Sequence, residues 1–262
     1  MKGYELPAIS KWHNVMHNAI KNPMNLKILY ILLFFLTTIC QKNYAQTRDM
    51  IPKDFVESMQ PKVESEEWYP LNHSKNEFSV KLVKDRLEIE NFKAVDKCEL
   101  KIQGGTLIGI NKGEFGGQLL FQPNDSTKQA IKIIKVNISF IFNFKNKIYF
   151  ITSYAHQVFS SGGLFELERL NNNFTFKLLV DFEDAPFAFT IYKDTFLVAT
   201  LENFYIVKDF KKELIFKNTF WNSLYPNSIA VLNDENIFLG MRSGIVKIDL
   251  TKKVLKFYKN DK

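Results

Sequence analysis

The sequence predicts an all-β fold: a small β-propeller of four or five four-stranded blades, preceded by a signal peptide. Three observations predict it. Four similar apolar runs recur at starts 41, 48 and 41 residues apart. Gly, Asn and Asp clusters punctuate short stretches of alternating polarity, as hairpin loops require. Phe, with 25 copies in 262 residues, is in excess, and aromatic residues favour pleated, half-buried surfaces over helices.

The elements follow in chain order. Residues 1–23 carry Pro7, Pro23 and two His, with no amphipathic face, and read as a mis-annotated extension ahead of a true start at Met24. Residues 24–45 have the layout of a signal peptide. Lys27 supplies a positive start, Ile28 to Ile39 an apolar stretch of twelve residues, and Ala45 a small residue for cleavage. Twelve is short of the about 20 needed to span a bilayer. An uncleaved anchor and a lipoprotein modified at Cys40 are the alternatives, although Ile39 is large for the position before a lipidated Cys. The protein is therefore expected to be exported, periplasmic or extracellular, with no membrane span in its mature part.

Removing residues 1–45 leaves 30 basic residues against 27 acidic ones, a net of +3. No run of five Lys or Arg remains, so no nucleic-acid partner is expected. Cys98 stays as a lone Cys, and no internal disulfide can form. The fold must rest on its core, and about 217 residues suffice for that.

Residues 46–77, with Pro52, Pro61 and Pro70, read as an N-terminal extension or a partial first blade, Trp68 and Tyr69 packing in the core. Residues 78–262 are the propeller domain. It opens with a hairpin, Phe78 to Val83 and Leu87 to Phe92 around Lys84-Asp85, expected to pair near the C-terminal strand 254–259. The repeated runs are 107–110, 148–151, 196–199 and 237–240. A strand precedes each (99–102, 138–144, 187–192, 228–232), and another follows (118–121, 164–170, 204–207, 245–250). A polar turn then leads to a fourth strand in three units: 174–180 after Asn171-Asn172-Asn173, 214–216 after Lys211-Lys212, and 254–258 after Thr251-Lys252. Four short antiparallel strands every 41–48 residues is the pattern of propeller blades. A β-sandwich or meander barrel also has many short strands but does not require equal spacing. The ring must close, because open edges invite aggregation.

The last unit, Pro226 to Ile245, resembles a divergent repeat of the YVTN, WD40-like or two-component-regulator propellers. It lacks the Trp-Asp dipeptide of WD40 blades and a full regulator signature, so the resemblance implies a fold and carries no activity.

Up-and-down connectivity sends alternate loops to alternate ends. One end should gather 111–117, 153–163, 201–203 and 241–243 with the linkers 182–186 and 218–226. Function concentrates in loops on a rigid scaffold. The candidate ligand-binding residues there are Tyr154, His156, Glu183, Asp184, Trp221, Tyr225 and Arg242. Trp221 and Tyr225 suit stacking on a sugar or a protein contact. They are equally suited to covering a blade junction. His156 with Glu183 or Asp184 would serve as an acid–base pair, with Arg242 holding an anion, if the chain were a hydrolase or lyase. The sequence contains no G-x-S-x-G, no phosphate-binding Gly loop and no metal-ligand spacing. No cofactor or metal is expected. The expected function is binding of a protein or glycan by a monomer; a propeller enzyme and an envelope sensor or complex subunit are the alternatives.

Overall fold

The computed structural model describes residues 50–171 and 173–261. All but Met50–Pro52 belong to one compact unit, Lys53–Lys262. The extension 1–23 and the leader 24–45 lie outside the described residues.

Between Pro52 and Pro61, one stretch is extended: β1 (Phe55–Ser58). A five-residue helix, α1 (Trp68–Asn72), comes next. The expected hairpin follows as β2 (Phe78–Val83) and β3 (Arg86–Asn91). Its turn residues Lys84 and Asp85 have φ of 51° and 59°. Positive φ at both positions is the type I′ geometry that matches the twist of the flanking strands.

Four antiparallel sheets follow, each running from its first strand outward in chain order. The first is β4 (Lys97–Ile102), β5 (Gly105–Asn111), β6 (Gly117–Pro123) and β7 (Ile131–Ile134). In the second, β8 (Ile138–Phe144) and β9 (Lys147–Thr152) lead to a small separate hairpin, β10 (Tyr154–His156) and β11 (Phe159–Ser161). The sheet is completed by β12 (Gly163–Leu170) and β13 (Asn173–Asp181). The third is β14 (Pro186–Tyr192), β15 (Thr195–Thr200), β16 (Phe204–Lys208) and β17 (Lys211–Phe216). The fourth is β18 (Ser228–Asn233), β19 (Asn236–Met241), β20 (Gly244–Asp249) and β21 (Val254–Asn260). The inserted β10–β11 hairpin accounts for the wider spacing between the second and third units.

The sheets stack through their second strands, by both faces in β9, β15 and β19. Along β15, Phe196 and Val198 point into a cluster with Tyr149, Ile151 and Leu164 of the second sheet. Leu197 and Ala199, on the other face, pack with Ile237, Leu239 and Met241 of the fourth. On β9, Tyr149 and Ile151 face the third sheet, while Phe150 joins Leu107 and Phe121 of the first. Side-chain alternation in a strand makes this division possible, and it explains why these strands read as continuous apolar runs. In β5 only one face is buried. Leu107 is fully buried while Ile108 and Ile110 are half-buried, so β5 alternates.

The contact between the two ends of the described unit corrects one expectation. The 78–92 hairpin does not pair beside 254–259. β1 does so instead, running antiparallel along β21 from Phe55 opposite Asn260 to Ser58 opposite Phe257. Glu57 reaches Lys256 at 2.9 Å and Tyr258 Oη at 3.2 Å. The Lys256 hydrogen bond holds the Glu57 carboxyl below the usual range. β2 lies against β18 and β19, and the Val80 amide donates to Ser228 Oγ at 2.8 Å. Gly240 permits this approach, because a Cβ there would stand 2.4 Å from the Phe78 carbonyl. Within segment 50–77 the stretch between Pro52 and Pro61 supplies the outermost strand.

Among the described residues, no helix is long and apolar enough to cross a membrane.

Candidate functional site

Hydrogen bonds tie the expected loops together at one end of the sheets. The centre is Asp184, on the linker from β13 to β14 and only 5% exposed. Its Oδ1 accepts from Ser160 Oγ at 2.6 Å and from the Ala185 amide at 2.8 Å. Its Oδ2 accepts from Thr200 Oγ1 at 2.5 Å, the Glu202 amide at 3.0 Å and Asn203 Nδ2 at 3.1 Å. One carboxylate thus joins the β10–β11 hairpin, the β13–β14 linker and the β15–β16 loop. A carboxylate offers about four lone-pair sites. Those of Asp184 are taken up by donors of the fold itself.

The network continues through Thr200, whose carbonyl accepts Trp221 Nε1–H at 3.2 Å. Thr219 Oγ1 donates to the Glu202 carbonyl at 2.9 Å, and Asn222 Nδ2 to Glu202 Oε1 at 2.8 Å. Segments 153–163 and 218–226 therefore stand on the same end, linked through Asp184 and Thr200. The helix α1 docks there too, with Trp68 Nε1 donating to the Phe220 carbonyl at 3.1 Å.

The expected site residues divide between core and surface. Trp221, equally suited by the sequence to stacking on a ligand or to covering a junction, is fully buried, packed with Phe220 and Leu224. Its length and its single N–H donor suit the junction between the third and fourth sheets. Tyr154 begins β10, half-buried and opposite Ser161. Glu183, exposed, has φ of 58° and pairs with Lys212 at 3.3 Å. His156 does not turn to Glu183 or Asp184: its Nδ1 lies 2.9 Å from Glu114 Oε2 on the 113–115 turn. Arg242 does not stand open to an anion. Its Nε and Nη2 both donate to Glu77 Oε1, at 3.0 and 2.7 Å, and its Nη1 donates to the Asn72 carbonyl at 2.7 Å. Its guanidinium lies 4.6 Å from the Tyr225 ring centroid, and that ring packs edge-on against Phe187. The acid–base constellation is not assembled, because each charged member has a different partner.

Two features were not singled out from the sequence. The first is a group of exposed apolar tips. Phe115 is 84% exposed, Val158 89% and Phe159 67%. They sit on the 113–115 turn and the β10–β11 hairpin, which lie against each other and are joined by the His156–Glu114 pair. An apolar residue inside a Gly-rich or Ser-rich loop was the available signal. The second is a groove of ≈ 790 Å³ on the flank, between β17, residues Gln60–Val63 and Leu255. Its walls are far apart in sequence, so no local pattern announces it.

Cys98, on β4, is half-buried, its Sγ beside Ile138 and Gly109, and burial pushes its thiol up to about 11. It is protonated at neutral pH and unsuited to nucleophilic work. Among the described residues no group of three or more His, Cys, Asp or Glu is placed to hold a metal ion.

No protein-family model matches this chain, and no curated protein matches it either.

Proposed function

We propose that this chain is an exported β-propeller binding protein that recognises a protein partner at its loop-bearing end. In this reading the four four-stranded sheets are blades and the β2–β3 hairpin is a reduced fifth. β1 closes the ring by extending the last blade. Three facts support it: the chain-ordered sheets, the burial of β9, β15 and β19 on both faces, and the packing of β2 on β18 and β19.

One observation carries the binding reading: Phe115, Val158 and Phe159 project from two loops joined by the His156–Glu114 pair, one of them also tied to Asp184. Large apolar side chains clustered in solvent mark interaction sites. A protein surface suits them better than a glycan, since they offer no hydrogen-bonding group and the buried Trp221 offers no stacking face. Arg242 and Asp184, both engaged internally, serve to hold the loops. The apolar stretch 28–39 ahead of Ala45 supports export.

The test compares the wild type with a Phe115→Ser, Phe159→Ser double variant. Both should melt at the same temperature. The variant should lose most of a partner captured by cross-linking in the native host. Equal capture by both proteins would refute the reading. N-terminal sequencing of the protein recovered outside the cytoplasm should begin at Gln46.

A further inference from the structure

We propose that the flank groove binds an extended peptide in which apolar and acidic residues alternate, added as a strand to the free edge of β17. This site borders the loop end at Glu202 and residues 218–222 but shares no lining residue with Phe115, Val158 and Phe159, and it does not depend on the reading given for them.

The groove has a volume of ≈ 790 Å³ and runs along the end of β17, inside the range typical of ligand sites. Phe216, Phe220 and Leu255 form an apolar floor. The opposite wall, Gln60–Val63, is anchored by Gln60 Nε2 donating to the Leu255 carbonyl at 2.7 Å. Lys253 and Glu213 meet at 3.8 Å across the gap between the third and fourth sheets. Glu202 and Asn222, joined at 2.8 Å, line the groove at its loop-bearing end.

Two properties point to a peptide strand. Among the described residues β17 pairs with β16 alone, so its outer backbone N–H and C=O groups are open. Natural edge strands are blunted by charge, and Lys211 and Lys212 do this for the first half of β17. The second half, Leu214-Ile215-Phe216, has no such protection, and Leu214 is 42% exposed. Strand addition at such an edge takes its affinity from the main chain and its specificity from alternate side chains. The second property is charge. Lys62 and Lys217 line the groove, both exposed, and the side chain of neither has an ion-pair partner among the described residues. A strand laid here puts one set of side chains on the apolar floor and offers the other to these lysines. A saccharide would leave the backbone edge unmatched.

A displayed library of random decapeptides, selected on the purified protein, tests this. Enriched sequences should alternate apolar residues with Asp or Glu. Synthetic versions should shift the amide resonances of residues 211–217 most. Lys62→Glu and Lys217→Glu should each weaken binding about fivefold, the scale of one or two exposed ion pairs. The Phe115→Ser, Phe159→Ser variant should bind these peptides as the wild type does. Failure to enrich any peptide, enrichment of basic or non-alternating ones, indifference to both charge reversals, or shifts confined to 113–115 and 156–159 would each overturn the proposal.

Discussion

Asp184 and Thr200 meet at 2.5 Å through a hydroxyl-to-carboxylate hydrogen bond, both side chains buried between the second and third sheets. Around that contact one carboxylate organises three loops, and the Thr200 carbonyl passes the order on to Trp221. A residue type often sought as a catalytic acid is here the fastening of a scaffold.

Replacing Asp184 should therefore destabilise the fold. Asp184→Ala strands the donors of Ser160, Thr200, Glu202 and Asn203 in a buried site, at a cost of about 3 kcal/mol. Asp184→Asn, which keeps the shape and part of the acceptor capacity, should cost about half as much. Urea denaturation of both variants measures this. A change under about 0.5 kcal/mol for Asp184→Ala, the level of an ordinary surface substitution, would contradict the structural role.

Trp221 should behave as a core residue. Trp221→Ala is expected to cost about 3–5 kcal/mol. Trp221→Phe should cost less while leaving its Thr200 partner without the N–H donor. Trp68 is also buried. Single-tryptophan proteins retaining Trp68 or Trp221 should emit at short wavelength and resist quenching by acrylamide. Ready quenching of either would place it at the surface.

Stability should fall in alkali because of Cys98. Its thiol ionises near 9 when free and at about 11 in the fold. Between those values the folded state keeps a proton that the unfolded state has lost, so the fold weakens as pH rises from about 9 to 11. The loss approaches about 2–3 kcal/mol. Cys98→Ala should flatten that part of a stability-versus-pH curve. Tyr258, pushed up to about 12 chiefly by burial, adds a further loss from about pH 10 in both proteins. Parallel curves for wild type and variant would show that the thiol is not held in its neutral form.

The pairing of β1 with β21 should be needed for cooperative unfolding. Phe55 is buried and packs edge-on against Phe78, ring centroids 5.0 Å apart. Phe55→Ala should cost about 3 kcal/mol and speed amide exchange in residues 254–260. Glu57→Gln removes the tie to Lys256. Because the Glu57 carboxyl is held low, its contribution is present above the unfolded value and fades as pH falls through the lowered one. Wild type and Glu57→Gln should converge in acid. Unaltered exchange at 254–260 in Phe55→Ala would mean the last sheet stands without β1.

Strand positions were legible along most of the chain, because burial on one or both faces of a pleated strand leaves a periodic record in the residues themselves. Ile138 to Phe144 reads as a strand and forms β8 over those same residues. β7 was missed: Ile131-Lys132-Ile133-Ile134 follows a long polar stretch that sets no register. The turn before β17 was misplaced onto Lys211-Lys212. Asp209 and Phe210 form it, with φ of 49° and 59°. No local rule puts a Phe in that conformation. It is held there because its ring packs on Tyr149 and Phe196, 5.6 and 6.3 Å away.

The candidate site divides the same way. Loop membership at one end follows from strand count and alternation, which are local properties. Which loop residues face solvent does not. Trp221 and Phe115 are both aromatics in loops, one fully buried and the other 84% exposed. The difference arises only when distant sheets, α1 and the Asp184 network close over the first and leave the second outside. The flank groove, the β1–β21 pairing and the Arg242–Glu77 pair likewise join residues more than 130 positions apart, and partners at that range leave no mark on each other's neighbours in the chain.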